Sequence, residues 1–212
     1  MKFIRQSDLP YPQPWEWIKD NIEFKDEKCF YVDVGANDGL IVSNTAHFDL
    51  NLGWDGICIE PHPRAFIELE KNRKNSKNLN LCISEEETEV DFLVINGPAE
   101  MLSGIYDKYH PDHKTRIESE IQKNGGNKEL IKVRSKPLKQ IFKENFITKV
   151  DYLSIDTEGS EYEILSSIDF DEVDIRVIST ENSSGKDIKE LLYKKNYTFA
   201  TICCGDEIYY KN

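Results

Sequence analysis

A glycine-rich turn follows an apolar run early in the chain, in residues 31–39 with the sequence YVDVGANDG. Gly35 and Gly39 allow backbone conformations that other residues resist, and the helix that we predict next offers unpaired N–H groups. Asp33 would repel a diphosphate, whereas it suits a ligand that carries an ammonium group or hydroxyl groups. The turn therefore predicts a cofactor site that favours S-adenosylmethionine over NAD.

Two other residues bear on which cofactor this turn binds. Asn37 stands where the dinucleotide pattern Gly-x-Gly-x-x-Gly has its second glycine, which hinders close approach of a pyrophosphate. Glu60 follows the next apolar run, at a strand end where an acid commonly binds ribose hydroxyls. An NAD-dependent oxidoreductase or epimerase is the alternative that these residues disfavour. The cofactor-binding residues predicted from this pattern are Asp33, Gly35, Ala36, Asn37, Asp38, Gly39 and Glu60.

Polar side chains also follow two later apolar runs, at the points where we expect strands to end. Asp156 and Glu158 come after the first run, and Glu181 and Asn182 come after the second. Parallel strands bring such residues to one edge of a sheet, where substrates bind, so Asp156 and Glu158 are candidate catalytic groups. The oxygen atoms of Asp156, Glu181 and Asn182 would suit Mg²⁺ or Mn²⁺ with some waters retained. Capping of the following helix is an equal alternative for Glu181 and Asn182.

The long segment 97–128 carries aromatic residues and histidines. Connections of this length commonly serve as lids or binding loops. Tyr106 and Tyr109 could bind an acceptor by stacking on a sugar ring and forming hydrogen bonds with its hydroxyls. His110 and His113 are candidate catalytic bases because the pKa of histidine lies near neutrality. For each of the four, packing beneath the loop or exposure to solvent is the open alternative.

Alternating strand and helix patterns must position these residues. Strands are predicted near 29–34, 54–59, 78–83, 150–155 and 173–179. Helices are predicted near 15–22, 40–50, 62–73, 112–123, 137–145, 161–167 and 186–195. This order predicts a parallel sheet with crossover helices, and a hairpin of residues 197–203 and 207–210 makes one terminal strand antiparallel. Ser160 and Glu163 have the spacing of a capping box.

Five blocks of this sequence form a recognisable set. They are 31–39 (YVDVGANDG), 58–61 (CIEP), 137–142 (PLKQIF), 150–165 (VDYLSIDTEGSEYEIL) and 177–182 (VISTEN). The set resembles the FkbM family of S-adenosylmethionine-dependent O-methyltransferases, and the lead-in and segment 97–128 fall outside it. The resemblance implies an α/β class I methyltransferase fold: three-layer, Rossmann-like, with a mostly parallel seven-stranded sheet and an antiparallel C-terminal hairpin strand. It also implies methyl transfer to a hydroxyl of a small acceptor, foremost a sugar such as rhamnose or fucose of a glycan.

The resemblance assigns roles to individual residues as well. It implies that Pro61 lies beside the cofactor, that Ser84 binds the adenine edge and that Ile83 packs on the adenine ring. Catechol-type and certain sugar O-methyltransferases hold a divalent metal with an Asp and an acid–Asn pair at corresponding strand ends. This chain differs from them by having Glu at position 181.

Length and charge limit the number of domains and the classes of partner. The 212 residues suit one domain, with residues 1–28 as a helical lead-in and 97–128 as an insertion. A net charge of −12 disfavours nucleic acid as a partner, so we expect a carbohydrate or another small hydroxylated acceptor. The five cysteines have no zinc spacing, and we expect a cytoplasmic protein without a membrane span. A catalytically silent binding module with the same fold is the third alternative.

Overall fold

A mostly parallel sheet with helices on both faces forms the centre of the protein. The computed structural model describes residues 12–26, 28–182 and 185–211, so the first part of the predicted lead-in lies outside the described residues. The helices are α1 (Pro14–Asn21), α2 (Ala46–Leu52), α3 (Pro63–Asn72), α4 (Pro111–Asn124), α5 (Leu138–Glu144), α6 (Glu161–Ser166) and α7 (Ile188–Tyr193). The strands are β1 (Phe30–Val34), β2 (Asp55–Ile59), β3 (Lys77–Leu79), β4 (Cys82–Ile83), β5 (Thr88–Asn96), β6 (Gly104–Ile105), β7 (Asn127–Lys136), β8 (Lys149–Ile155), β9 (Asp174–Glu181), β10 (Thr198–Cys203) and β11 (Asp206–Tyr210).

The main sheet has seven strands in the order β10-β11-β9-β8-β1-β2-β3. β11 runs antiparallel to both of its neighbours, and the other neighbouring pairs are parallel. The predicted fold class, including its antiparallel hairpin strand, is therefore confirmed. β1 lies between β2 and β8, with Val34 opposite both Ile59 and Ile155, so the carboxyl ends of three strands meet at one edge.

Both faces of the main sheet are buried, as expected for parallel strands that helices cover on each side. Val32 and Val34 of β1 contact the core beneath α5, α6 and α7. Tyr31, between them in sequence, contacts the opposite core beneath α1, α2 and α3. Ile18 of α1 is fully buried in this second core, so α1 is an integral part of the packed structure.

A second sheet, which the sequence pattern did not predict, has four strands in the order β4-β7-β5-β6. β5 and β7 pair antiparallel along their whole length. The single third strand predicted near 78–83 is wrong, because β3 joins the main sheet whereas β4 joins the second. The apolar pattern continues across this division, but the chain leaves the main sheet at Asn80, whose side-chain amide donates to the carbonyl oxygen of Glu60.

Residues 97–126 form the connection between β5 and β7. They contain two short 3₁₀ turns (Glu100–Leu102 and Tyr106–Lys108), β6 and α4, which confirms the helix predicted near 112–123. Gly97 and Gly126 meet at the base of the connection with positive φ angles of 112° and 121°. A Cβ atom on Gly126 would overlap the carbonyl oxygen of Asn96, so glycine is required there.

The cysteines are reduced, and the helices are short or polar. All five cysteines are free thiols; four of them are buried, whereas Cys204 is exposed. Among the helices of the described residues, none has the length and apolar character needed to cross a membrane.

Candidate active site

The turn after β1 is held against the two neighbouring strands. The N–H groups of Gly35 and Ala36 donate to the carbonyl oxygen of Ile59, at 2.9 and 3.1 Å. Gly35 has a φ of 88°, and a Cβ atom at this position would overlap the carbonyl oxygen of Asp156. Glycine is required here because the backbone at the end of β8 passes so close, whether or not a ligand also approaches the turn.

The predicted helix over 40–50 begins later than expected, at Ala46 of α2. The side chain of Asp38 accepts hydrogen bonds from the N–H groups of Leu40 and Ile41, at 2.9 and 2.8 Å, and Val42 has a positive φ of 57°. These local bonds compete with helical ones and delay the start of the helix. The N–H groups of the α2 terminus therefore do not lie at the glycine turn, which corrects that part of the sequence analysis.

Glu60 connects the end of β2 to the glycine turn. Its carboxylate accepts hydrogen bonds from the N–H groups of Asn37 and His62, each at 2.7 Å. Burial raises the pKa of Glu60 to about 7, because an ionised carboxylate loses hydration there. Asn37 has a φ of 49°, a left-handed conformation that asparagine tolerates better than most residues. Glu60 thus has a structural role in the turn in addition to the cofactor contact predicted for it.

Two adjoining cavities lie along this edge of the main sheet. The larger encloses about 700 Å³, including its part open to solvent, and the smaller about 310 Å³. Gly35, Asn37, Met101 and Asp156 line both. The larger cavity extends beneath the second sheet, where Phe92 and other apolar side chains form its wall. The two sheets therefore enclose one elongated cleft.

The predicted cofactor residues divide into those that line this cleft and those that shape the chain around it. Gly35, Asn37, Glu60, Pro61 and Ile83 line the larger cavity, and Asp33, Gly35, Ala36 and Asn37 line the smaller. Asp38 organises the turn, and a Cβ atom on Gly39 would lie 2.7 Å from side-chain atoms of Leu69 and Arg73. The hydroxyl of Ser84 donates to the carbonyl oxygen of Glu86 in the loop after β4, at 2.8 Å.

Several residues that line the two cavities were not predicted from the sequence. The larger cavity is also lined by His62, Phe92, Met101, Ile105 and Ser160, and the smaller by Ser43, Asn44, Met101 and Ser154. Phe92 and Ile105 lie on strands of the second sheet, so predicting that sheet would have suggested them. Asn44 is fixed by a 2.8 Å hydrogen bond to Asp206, a contact that only the tertiary structure brings about.

Three carboxylates converge at the ends of β8 and β9. One oxygen each of Asp156, Glu158 and Glu181 lies within 4.8 Å of the others. Burial raises the pKa of all three groups, that of Glu158 to about 8, and repulsion from neighbouring carboxylates, including Asp206 and Glu161, adds to this. The amide of Asn182 instead donates to Glu207, at 3.4 Å. Glu158 therefore joins the two acidic residues among the predicted metal ligands, and Asn182, the third predicted ligand, contacts Glu207 through its amide nitrogen.

Of the four candidates in the insertion, His113 places a ring nitrogen beside Glu158 of this cluster. Its Nδ1 atom lies 3.4 Å from Oε2 of Glu158, and its ring stacks on Tyr109 with the centroids 4.8 Å apart. Burial lowers the pKa of His113, which favours the neutral imidazole. His113 and Glu158 together could therefore take up and pass on a proton.

The other three candidates in the insertion have different surroundings. Nδ1 of His110 accepts from the N–H of Asp112 at the start of α4, and its side chain is 58% exposed. Tyr109 is buried and donates its hydroxyl to the carbonyl oxygen of Leu102, at 2.7 Å. Tyr106 is 38% exposed, and Nζ of Lys114 lies 4.0 Å from its ring centroid. Of the aromatic pair, only Tyr106 presents a face to solvent.

The side chain of Glu161 holds the loop between β8 and α6, which includes Glu158. Oε1 of the fully buried Glu161 accepts hydrogen bonds from the N–H groups of Thr157 and Gly159, at 3.1 and 2.9 Å. Glu158 has a positive φ of 60°. The capping box predicted for Ser160 and Glu163 is wrong, because Ser160 makes no side-chain cap hydrogen bond. Glu161 instead accepts the hydrogen bonds of the backbone N–H groups in this loop.

The sheet order, the single antiparallel strand and the cleft at the carboxyl edge together define a class I methyltransferase fold. Residues 33–199 match the family model described as the methyltransferase FkbM domain. The chain belongs to the FkbM methyltransferase family. The match runs through residues 97–128, which the sequence analysis had placed outside the resemblance.

Solved structures of methyltransferases share this fold. The FkbM methyltransferase of Methylobacillus flagellatus KT is 12% identical, with a TM-score of 0.52; the alignment covers 96% of this chain and 49% of that one. The METTL16 methyltransferase domain is 14% identical, with a TM-score of 0.51; the alignment covers 93% of this chain and 65% of that one. The chain thus spans less than two thirds of either relative. A search of curated proteins gave no significant match.

Proposed function

We propose that this chain transfers a methyl group from S-adenosylmethionine to a hydroxyl of a small acceptor, foremost a sugar such as a deoxyhexose of a glycan. The observation that carries the proposal is the position of Glu158. Its carboxylate lies beside His113 and Asp156, and Glu158 and Asp156 both line the cleft that the cofactor turn also lines. Membership of a methyltransferase family supports the reaction class.

The chemistry of the cleft fits S-adenosylmethionine. The apolar wall of the larger cavity, which includes Ile83 and Phe92, would accept a purine, and Glu60 at its edge would bind ribose hydroxyls. Asp33 in the smaller cavity would pair with an ammonium group. The ligand carries a net positive charge, and the acidic cleft favours it electrostatically. When bound, it would supply a methyl group on a positively charged sulfur.

Glu158 is the proposed general base. As the acceptor oxygen forms its new bond to the methyl carbon, the hydroxyl must lose a proton, and the electron pair of the broken C–S bond stays on sulfur. Glu158 would receive the proton, because the pKa of this carboxyl, about 8, is close to the range in which a base works well at neutral pH. His113 would orient the Glu158 carboxylate from 3.4 Å away. Alignment of the two reacting groups would contribute much of the acceleration.

A sugar acceptor agrees with the polar groups around Glu158. Asp156 and Glu181 can accept hydrogen bonds from neighbouring hydroxyls, and the exposed ring of Tyr106 can stack on the C–H face of a sugar. We assign the insertion 97–128 to acceptor binding for this reason, and treat residues 1–212 as one methyltransferase domain. The net charge of −12 favours a small acceptor over nucleic acid.

A divalent cation is a separate part of the proposal. Asp156 and Glu181 would hold Mg²⁺ or Mn²⁺ between them with water as the remaining ligands, and the ion would lower the pKa of the acceptor hydroxyl, while Glu158 beside them would stay free to receive the proton. The test is turnover after dialysis against EDTA, followed by addition of each ion. Loss of activity that Mg²⁺ or Mn²⁺ restores would support a role for the ion in the reaction. Full activity in the chelator would exclude that role.

Incubation of glycans and free sugars with methyl-labelled S-adenosylmethionine, followed by mass spectrometry, tests the main proposal. A labelled product methylated on oxygen is the expected result. S-Adenosylhomocysteine should raise the melting temperature of the protein and NAD should not, because only a ligand that binds the folded state stabilises it. Stabilisation by NAD alone would support the oxidoreductase alternative. Binding without turnover on any acceptor would support the silent module.

A further inference from the structure

Arg73 is a fully buried arginine directly after α3, beneath the glycine turn and outside the catalytic cluster. A buried guanidinium is costly unless hydrogen-bond acceptors and a counter-ion surround it. Its N–H groups donate to Gly39 O (2.6 Å), Tyr31 Oη (3.0 Å), Asp49 Oδ2 (3.0 Å), Ser43 Oγ (2.8 Å) and Thr45 Oγ1 (2.8 Å). Arg73 therefore joins β1, the chain between the turn and α2, and α2 itself.

One of these hydrogen bonds connects Arg73, through Thr45, to a side chain that lines the cleft. Thr45 receives a hydrogen bond from Nη2 of Arg73 and donates one from Oγ1 to Oδ2 of Asp33, at 2.5 Å. Asp33 lines the smaller cavity, as does Ser43, the neighbouring acceptor of Arg73. The guanidinium thus determines where two lining side chains of the smaller cavity lie.

The charges of the network do not balance without a ligand. Arg73 forms a close ion pair with Asp49, at 3.0 Å between Nη1 and Oδ2, and both side chains are buried. Asp33 lies 4.0 Å from Nη2 and reaches it through the hydroxyl of Thr45. Two carboxyl groups therefore share one guanidinium, and Asp33, next to the cavity, is the one outside the close pair. Burial raises the pKa of Asp33, because its ionised form loses hydration there. A cationic group in the cavity would neutralise it.

We propose that Arg73 is a positioning residue that, through the hydroxyl of Thr45, holds Asp33 in place to bind the ammonium group at the amino-acid end of the cofactor. This inference rests on the proposed function, because it takes S-adenosylmethionine as the ligand. It distinguishes the two cavities by chemistry. The smaller one recognises the amino-acid end through the Arg73 network, and the larger one recognises the nucleoside independently of that network.

The experiment compares two ligands that share the nucleoside. S-Adenosylhomocysteine carries the amino-acid end, and 5′-methylthioadenosine lacks it. Thr45→Val removes the bridging hydroxyl at nearly constant volume, and isothermal titration calorimetry measures the affinity for each ligand. The variant should bind S-adenosylhomocysteine about tenfold or more weakly, since a hydrogen bond to a charged group is lost, and 5′-methylthioadenosine about as well as the wild type does. Thr45→Ser, which keeps the hydroxyl, should restore most of the affinity.

Controls separate positioning from loss of folding. Thr88→Val makes the same change at an exposed position at the start of β5, and should leave both affinities unchanged. If Thr45→Val does not fold, Ser43→Ala removes another acceptor of Arg73 and should give the same selective loss. Equal weakening of both ligands, or unchanged binding of S-adenosylhomocysteine, overturns the positioning role. If the wild type does not bind S-adenosylhomocysteine, the proposed function fails and this inference with it.

Discussion

Two glutamates at the edge of the cleft illustrate how residue environment decides chemistry. Glu60 has hydrogen bonds from two backbone N–H groups, whereas Glu158 lies among other carboxylates at a strained backbone position with φ of 60°. Burial raises the pKa of both. The first is suited to holding the turn, and the second to receiving a proton, so they call for different tests.

Replacing Glu158 by Gln tests the proposed base. Gln keeps the size of the side chain but cannot accept a proton, so we expect kcat to fall by about 100-fold or more. Binding of S-adenosylhomocysteine should stay within a few-fold of wild type. Steady-state kinetics and calorimetry measure the two effects, and Glu85→Gln, at an exposed position, is the control. A wild-type kcat in Glu158→Gln would exclude this residue as the base.

Glu60 should make stability depend on pH. The pKa of its carboxyl is about 7 in the folded protein, above the ordinary value of 4.5, so the folded state binds more protons between these values. The free energy of unfolding should therefore fall as pH rises from about 4.5 to 7, by roughly 3 kcal/mol from this group. Denaturation at pH 5 and pH 8 measures it. Glu60→Gln should lose this contribution; an equal pH dependence in the variant would contradict the assignment.

The residues of the site lie at the ends of strands and in the turns that follow them. β1, β2 and β8 end side by side, and the turn after β1 passes against the backbone of Asp156. The loop after β8 is fixed by the buried Glu161, which accepts three hydrogen bonds. The carboxylates proposed to act in catalysis are therefore supported by backbone contacts between elements, and small backbone changes there should be costly.

Gly35→Ala tests this close approach between β1 and β8. The added Cβ atom would overlap the carbonyl oxygen of Asp156, and alanine is also strained at a φ of 88°, so we expect a loss of about 3 kcal/mol or more. Gly53→Ala is a matched control, because Gly53 has a φ of 70° but no atom of the described residues within 4 Å of the position that a Cβ would take. It should cost only about 1–2 kcal/mol. Similar losses in both variants, measured by denaturant unfolding, would contradict the overlap argument.

At the scale of the whole molecule, the cleft exists because two sheets face each other. The main sheet supplies the glycine turn and the acidic strand ends, and the second sheet with its connection supplies apolar side chains that include Phe92, Met101 and Ile105. His62 also joins the two parts, with Nε2 3.2 Å from the carbonyl oxygen of Ile95. A ligand in the cleft should therefore contact both sheets at once.

Hydrogen exchange can test that arrangement. Saturating S-adenosylhomocysteine should slow amide exchange in residues 35–37 and 60–62 of the main-sheet side and in residues 100–105 of the second-sheet side. Amides of β10, at the far edge of the main sheet, should exchange as before. Mass spectrometry with and without the ligand measures all of these segments. Protection limited to the main-sheet side would show that the second sheet does not contact the ligand.

Local pattern was sufficient for much of this protein. The apolar runs and the order of strands and helices predicted the parallel sheet and its antiparallel hairpin strand, because both depend on periodicity and chain order. Gly35 and Asp33 identified the turn, and Asp156 and Glu181 were expected at one edge because parallel strands end together. These features are properties of short stretches of sequence.

Long-range contacts decided the rest. The pairing of β5 with β7, the division of the predicted third strand at Asn80 and the burial of Arg73 join residues that are distant in sequence, and no local pattern specifies such partners. The sequence placed Asp156 and Glu181 together, and the structure adds Glu158 to them, since its left-handed backbone determines where its carboxylate lies. Sequence alone determined which strand ends carry the acids; tertiary packing decided which of those acids meet.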